Sequence, residues 1–425
     1  MDYNYLKYKR KYLILKELLY NQNQIGGNID KKIRIICRES SSGINTEIEF
    51  ISNVIKKIGN YRIEIIFTST YETQDNKKNY EMVDIIFYIE HVPMIPFYSK
   101  KSYLFINQDF LHDWDIEALK DPFYFVNILK YAPEKIREIN MKYDPTKISE
   151  IIPLYKTKYC KEVLITIDLE IANKSIFVGH GNINAISDRE YNPINNTLIH
   201  IGGTSPLKNT NLVFDSWKYY MDTYKDDTIL IVTLRDTKLT KVTDDYFNKL
   251  YPNVIKKQLP SKIIEDLKFP DFSCYNNRLY YYYGNLSLDQ LKLLKERAMI
   301  ALCPSAMEGW GHHIDEYRIS KTLVITLDAS PMNELITKKS GILIPAKKGD
   351  DIRNLCNLKF ESCSYTKKYN LQFKTYTADI EDVADRINYA ISLSERKRNK
   401  LIEKAYKRSL KDSFIFENNM RKLLE

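Results

Sequence analysis

Short apolar runs, each closed by glycine, proline or small polar residues and each followed by a stretch of helical periodicity, constrain this chain more than any other feature. In the C-terminal half they fall at 198–202, 229–234, 279–283, 299–303, 322–327 and 341–344, with amphipathic segments such as Asp289 to Arg297 between them. Runs this short and this apolar read as strands buried on both faces, and strands that alternate with helices build a parallel sheet. Six of them suggest one doubly wound sheet. The N-terminal half repeats the α/β grammar more loosely: Ile33 to Cys37, Arg62 to Phe67, Val83 to Ile89 and Tyr103 to Ile106 read as strands, and Thr46 to Ile58 as a helix. A chain of 425 residues exceeds what one hydrophobic core usually organises. Two α/β domains are therefore expected, 29–190 and 191–379, parted at the polar, turn-rich Asp188 to Asn196. Residues 380–425 read as two charged helices closing the chain, and residues 1–28 as a basic, Tyr-rich amphipathic appendage ended by Gly26 and Gly27.

Composition removes several function classes. The chain is 44% hydrophobic and 28% charged, the balance of a globular protein rather than a disordered one. Its longest apolar runs, such as Ala298 to Cys303, are far shorter than the ~20 residues that cross a bilayer, so no transmembrane segment is expected. Lys7, Lys9, Arg10, Lys11 and Lys16 break up the first apolar stretch, which a secretory signal would keep uncharged, and a cytoplasmic protein is expected. The appendage resembles a leader found at the start of many giant DNA virus proteins; that resemblance implies a viral source, with the host cytoplasm or the virion as location. Cys37, Cys160, Cys274, Cys303, Cys356 and Cys363 form no CxxC pair and read as reduced, structural thiols. The net charge of +9 is spread along the chain and would suit an anionic substrate, a membrane surface or nucleic acid. No nucleic-acid-binding motif accompanies it, so no nucleic-acid partner is expected, whereas the basic appendage is compatible with peripheral membrane contact.

In a doubly wound sheet, ligands bind beyond the carboxyl ends of the strands. The unusual residues gather there: Gly202 to Lys208 after the first C-terminal strand, Arg235 and Asp236 after the second, Gly284 and Asn285 after the third, Pro304 to Gly311 after the fourth, Asp328 to Pro331 after the fifth. Glu308 and Glu316 stand eight apart, one on a loop and one on the following helix, with Gly309 and Gly311 allowing a tight turn whose N–H groups can face a ligand. Carboxylates suit sugar hydroxyls because each oxygen accepts hydrogen bonds readily.

The stretch from Gly284 to Pro345 resembles the donor-binding core of retaining GT-B glycosyltransferases of the family-4 type. It carries in order a helix, a strand ending in Pro-Ser, Glu-Gly-aromatic-Gly, a second Glu eight on, another strand and Pro-x-x-Glu. The resemblance implies two Rossmann-like domains facing across a cleft and transfer of a hexose from a nucleoside-diphosphate sugar to a glycan, lipid or protein hydroxyl with retention of anomeric configuration. It places Glu308 on the transferred sugar, Glu316 on the ribose, and Ser330 to Asn333 near the phosphates. Residues 200–217 resemble the same family's Gly-Arg-x-x-x-x-Lys loop, with Gly203 and Ser205 on the loop and Lys208 in the place of the pyrophosphate-binding lysine. The family arginine falls at Gly203, and Arg235 or Arg318 is the candidate substitute. No metal or other cofactor is implied, since Lys208, an arginine and helix N-termini would stabilise the leaving diphosphate.

The N-terminal half resembles the family only in outline. Gly43, between the first strand and the first helix, reads either as a loop approaching the substrates or as a plain turn. His91, directly after a strand, reads as an acceptor-side histidine or a packed one, and His180 has the same standing. His312 and His313 are adjacent and make a poor metal pair, so no structural zinc is expected. The alternative to an enzyme is a catalytically silent relative, a structural or sugar- or nucleotide-binding protein on the same fold.

Overall fold

The computed structural model of the chain describes residues 31–38, 42–68, 81–93, 95, 97–108, 111–121, 144–181, 193–238, 240–264, 267–349 and 375–425. The appendage, most of the expected domain boundary, Cys356 and Cys363 lie outside these residues.

The N-terminal strands are β1 (Lys32–Arg38), β2 (Arg62–Thr68), β3 (Val83–Ile89), β4 (Ser99–Phe105), β5 (Ile151–Tyr155) and β6 (Ile176–Phe177). They form one parallel sheet in the order β2-β1-β3-β4-β5-β6. The central strand β3, with the sequence VDIIFYI, is buried almost throughout, as a strand covered on both faces must be. One face is covered by α1 (Ser42–Ile58), whose Ile44, Ile48, Ile51, Val54, Ile55 and Ile58 recur at helical spacing and are all buried. Gly43 therefore sits in the first turn of that helix rather than on a substrate loop, because the apolar stripe starts earlier than Thr46. The other face packs on α2 (Asp113–Lys120) and α3 (Lys158–Ile167) through Ile116, Leu119, Cys160 and Leu164.

The second sheet contains β7 (Ile194–Gly203), β8 (Ile229–Leu234), β9 (Ile255–Lys257), β10 (Phe272–Tyr275), β11 (Leu279–Tyr283), β12 (Ala298–Cys303), β13 (Leu323–Leu327) and β14 (Ile342–Ile344), in the order β14-β13-β12-β7-β8-β11-β10-β9. All six strands expected from the sequence are present and mutually parallel, and β9 and β10 extend the β11 edge antiparallel. Helices α4 (Thr210–Thr223), α5 (Leu288–Arg297), α6 (His312–Ile319) and α7 (Ile380–Ser392) flank this sheet. Ser287 and Gln290 cap the start of α5 reciprocally. Cys37, Cys160, Cys274 and Cys303 are buried.

The last helix, α8 (Glu395–Leu424), serves both cores. Near its start Ile402 joins the core of the second sheet, while Phe416, Met420, Leu423 and Leu424 are buried in the core of the first. Phe416 lies 4.8 Å from the Phe50 ring and 6.3 Å from that of Phe105. Truncating it to alanine would cost about 3–5 kcal/mol, the usual loss for a buried aromatic.

Candidate functional site

The second sheet changes winding direction at β7: the chain moves outward through β8 and β11 on one side, then returns to β12 on the other. The crevice between the carboxyl ends of β7 and β12 is thus the switch point where such sheets bind ligands. Here β7 ends in an irregularity, its register against β8 slipping between Ile201 and Gly203, and Gly203 takes a left-handed φ of 60°. Ser205 Oγ then accepts from the Leu207 N–H and starts a tight turn over Pro206–Lys208. The loops after β7 and β12 are laced together: Ala306 N donates to Leu207 O at 2.7 Å, and Asn209 Nδ2 to Pro304 O at 2.8 Å.

That lacing brings Lys208 to Glu308. The ammonium donates to Glu308 Oε1 at 2.5 Å and to His313 Nδ1 at 3.2 Å. Because an ammonium can only donate, Nδ1 of His313 accepts, which leaves the proton on Nε2, 3.3 Å from Ser305 Oγ. Burial works to raise Glu308, but the Lys208 charge and hydrogen bonds from Lys208 and Ser305 outweigh it and hold the carboxyl below its usual range. Burial, reinforced by repulsion from Lys208, pushes His313 down to about 3, so its imidazole is neutral. The group is a compact anion–cation pair at the mouth of the switch-point crevice, with a neutral donor–acceptor ring behind it.

The two glycines have separate reasons to be glycine. Gly311 adopts a φ of 96° where α6 begins, and no side chain caps that N-terminus. At Gly309 a Cβ would fall 2.3 Å from Asn107 Oδ1, on the loop after β4. Gln108, on that same loop, donates from Nε2 to Glu308 O and Gly309 O, both at 3.0 Å. Across the seam from the other side, the Glu334 carboxylate accepts from Lys158 N and Tyr159 N, each at 2.9 Å, and so caps the first turn of α3. These contacts fasten the segments after β12 and β13 to the N-terminal half at two points.

The remaining sequence-derived residues divide clearly. Glu316 is ion-paired with Lys295 of α5 rather than with Lys208, and both ion pairs are near enough to act on the buried Cys303 thiol at the end of β12. Ser330 and Asn333 hydrogen-bond to each other at 3.3 Å, and Asn333 Nδ2 donates to Asp328. Arg235 lies beside Gly203, its backbone N–H donating to Gly203 O at 2.9 Å, and its partly buried guanidinium has no ion-pair partner among the described residues. A Cβ on Gly203 would meet nothing within 4 Å, so the space beside it is open. Arg318 cannot act as the substitute arginine: it is fully buried and bound to Asp315 and Asp412. His91 hydrogen-bonds through Nδ1 to the buried Asp115 at 2.9 Å and packs against His112 with ring centroids 4.3 Å apart. Its neighbour Glu90, at a φ of 66°, accepts from Asn107 Nδ2, which ties His91 to the loop that meets Gly309. His312 and His313 separate, the second to Lys208 and the first to Glu47 of α1.

Sequence reasoning misses His313 as a partner of Lys208, Ser305 as a partner of His313 and Glu308, and Gln108, Asn107 and Lys295 altogether. The signal for His313 is its place five residues beyond Glu308, at the start of a helix. A cavity of about 160 Å³ between the domains is lined by residues including Lys156, His180, Trp310 and Asp412 and lies apart from Lys208.

No known protein-family profile matches the sequence, and no curated protein is close enough in sequence to match it. Solved structures do match over nearly the whole chain. A glycosyltransferase from Rickettsia africae aligns with a TM-score of 0.55 at 12% identity, covering 93% of this chain and 98% of its own. The Anabaena protein HepE, in complex with UDP and glucose, gives 0.53 at 10% identity over 92% and 99%. A trehalose-6-phosphate synthase gives 0.55 at 10% over 93% and 98%. With two Rossmann-like sheets joined by a closing helix, and with these neighbours, the chain has the GT-B fold.

Proposed function

We propose that this protein is a nucleotide-sugar-dependent glycosyltransferase that moves a hexose from a nucleoside diphosphate to a hydroxyl of a glycan, lipid or protein acceptor, with retention of anomeric configuration. The observation that carries the reading is the Lys208–Glu308 pair at the switch point between β7 and β12, beside an uncapped helix N-terminus. On this reading Lys208 and Arg235 take the diphosphate charge as the sugar leaves, the N–H groups at the start of α6 assist, and no metal is needed. Glu308 is released from Lys208 to hold the sugar, Glu316 takes the ribose, and Ser330 and Asn333 lie toward the phosphates. Residues 191–379 would be the donor unit and 29–190 the acceptor unit, with His91, oriented by Asp115, facing the acceptor. The UDP bound by HepE makes UDP-sugars the first donors to try.

A second reading, a silent relative that binds sugar or nucleotide, is favoured by Gly203 standing where the family has arginine and by a Lys208 charge already met by Glu308. One experiment separates them. UDP, GDP and their common sugars are titrated calorimetrically against wild type, Lys208→Ala and Glu316→Ala, and donor hydrolysis is followed in parallel. Binding weakened by both substitutions, with donor turnover, supports the transferase; binding without turnover supports the silent relative. No binding of any nucleotide sugar would remove the donor-site assignment altogether.

A further inference from the structure

Apart from Lys208, a second polar cluster sits in the seam between the domains. Glu47 comes from α1, His180 from the segment after β6, and His312 from the first turn of α6. Glu47 Oε1 is 3.9 Å from His180 Nε2, Glu47 Oε2 is 3.7 Å from His312 Nε2, and the ligating atoms of all three lie within 4.8 Å of one another. His180 is 1% exposed, packed among Phe50, Trp310 and Phe416, and neither of its ring nitrogens has a hydrogen-bond partner among the described residues. A buried polar group left so costs about 1–3 kcal/mol, and a lone pair aimed at a carboxylate and another imidazole is one a cation can use.

We infer that Glu47, His180 and His312 form a divalent-cation site of the zinc type that fastens the two domains together, with the Lys156 ammonium as its stand-in when no metal is bound. Two imidazoles and one carboxylate are a set zinc accepts, and its bonds of about 2.0–2.2 Å place ligand atoms roughly 3.4 Å apart, a short contraction from the spacing seen. Lys156 is ion-paired with Glu47 and almost fully buried, so a cation already balances the carboxylate. Lys156 and His180 both line the cavity of about 160 Å³, which leaves room for the lysine to withdraw and for a water to complete the coordination. Glu47 and His180 belong to the N-terminal sheet's side and His312 to the donor side, so binding would favour the docked arrangement of the two. This site is independent of the transferase reading and of the diphosphate chemistry proposed at Lys208.

The test uses the full-length chain, stripped with a chelator and dialysed. Zinc is titrated calorimetrically, and cobalt is titrated in parallel for the visible absorption of a low-symmetry, four-coordinate site. Wild type should bind one metal per chain with that absorption; His312→Ala and His180→Gln should weaken binding at least about 100-fold, since even outer-shell losses cost 10- to 100-fold. Lys156→Met should tighten it, because the competing charge is gone. Should His180→Gln fail to fold, as judged by circular dichroism, His312→Ala at its partly exposed position and Lys156→Met still decide. The inference is overturned if neither wild type nor Lys156→Met binds a single equivalent, or if binding is the same with His312 removed.

Discussion

Replacing Glu308 by glutamine should move stability and nucleotide affinity in opposite directions. At 2.5 Å the Lys208–Glu308 attraction is worth about 7 kcal/mol at an effective dielectric of about 20, much of it cancelled by desolvation. Removing one member of a buried pair commonly costs about 3–5 kcal/mol; the Lys208 side chain is 20% exposed, so hydration of its ammonium brings the expected loss to about 2 kcal/mol. The same change frees Lys208 for an anion. A diphosphate no longer has to displace a carboxylate, and about 1.4 kcal/mol of relief is a tenfold tighter Kd. Transfer should meanwhile fall about 10²–10³-fold, the usual cost of losing one preorganised contact to the reacting group. Thermal melting with and without UDP, UDP titration and a donor-turnover assay read all three. A folded Glu308→Gln protein that binds UDP no more tightly than wild type would refute the claim that Glu308 and the diphosphate compete for Lys208.

Gly309→Ala forces a Cβ to within 2.3 Å of Asn107 Oδ1, so it should part the loop after β12 from the loop after β4, seen as faster amide exchange in both loops. Glu334→Gln removes a charged cap from another domain's helix; with about 1–3 kcal/mol lost, the Lys158 and Tyr159 amides should exchange about 5- to 150-fold faster, while α5 amides stay unchanged. Stability should fall with acid on more than one count. The unfolded chain protonates His313 below about 6.5 whereas the folded protein resists until about 3, and the support given by Glu308 is present above about 4.3 and lost as pH falls through its lowered value. His313→Gln should flatten the fall of Tm between pH 6.5 and 4, though not abolish it, because His200, pushed down to about 4 by burial, keeps part of the slope.

The C-terminal sheet was legible because its strands are apolar on both faces and short, a pattern that tertiary context does not override. Ile229–Leu234 and Ala298–Cys303 have no alternative use. The sequence reading leaves out β5, β6, β9 and β10; of these β9, whose IKK is wholly exposed, and β6, two residues long, lack that signal. Within the site, spacing along the chain brought Lys208, Glu308 and the glycines together on one rim, since all lie in loops that follow strands. Pairing was not legible, because it depends on rotamers and on the other domain. Nothing local announces that Arg318 turns inward to Asp412, that Glu316 meets Lys295, or that Glu334 reaches an N-terminal helix. Gly43, which the sequence leaves open between a substrate loop and a plain turn, falls inside α1 because that helix starts at Ser42, ahead of Thr46.

The double duty of α8 has a consequence for how the protein is made. Phe416, Met420 and Leu424 are structural parts of the sheet that β1 to β6 build, yet 238 residues separate Val178 from Phe416. At about 5–20 residues per second, a ribosome needs on the order of 10–50 s to supply them. Throughout that interval the face of α1 that receives Phe416 is uncovered, so the first domain to leave the ribosome is the last to be finished. Its nascent form is a natural client for a holding chaperone, and a ribosome stalled between Ile402 and Phe416 would display two domains of which only the younger has its core complete.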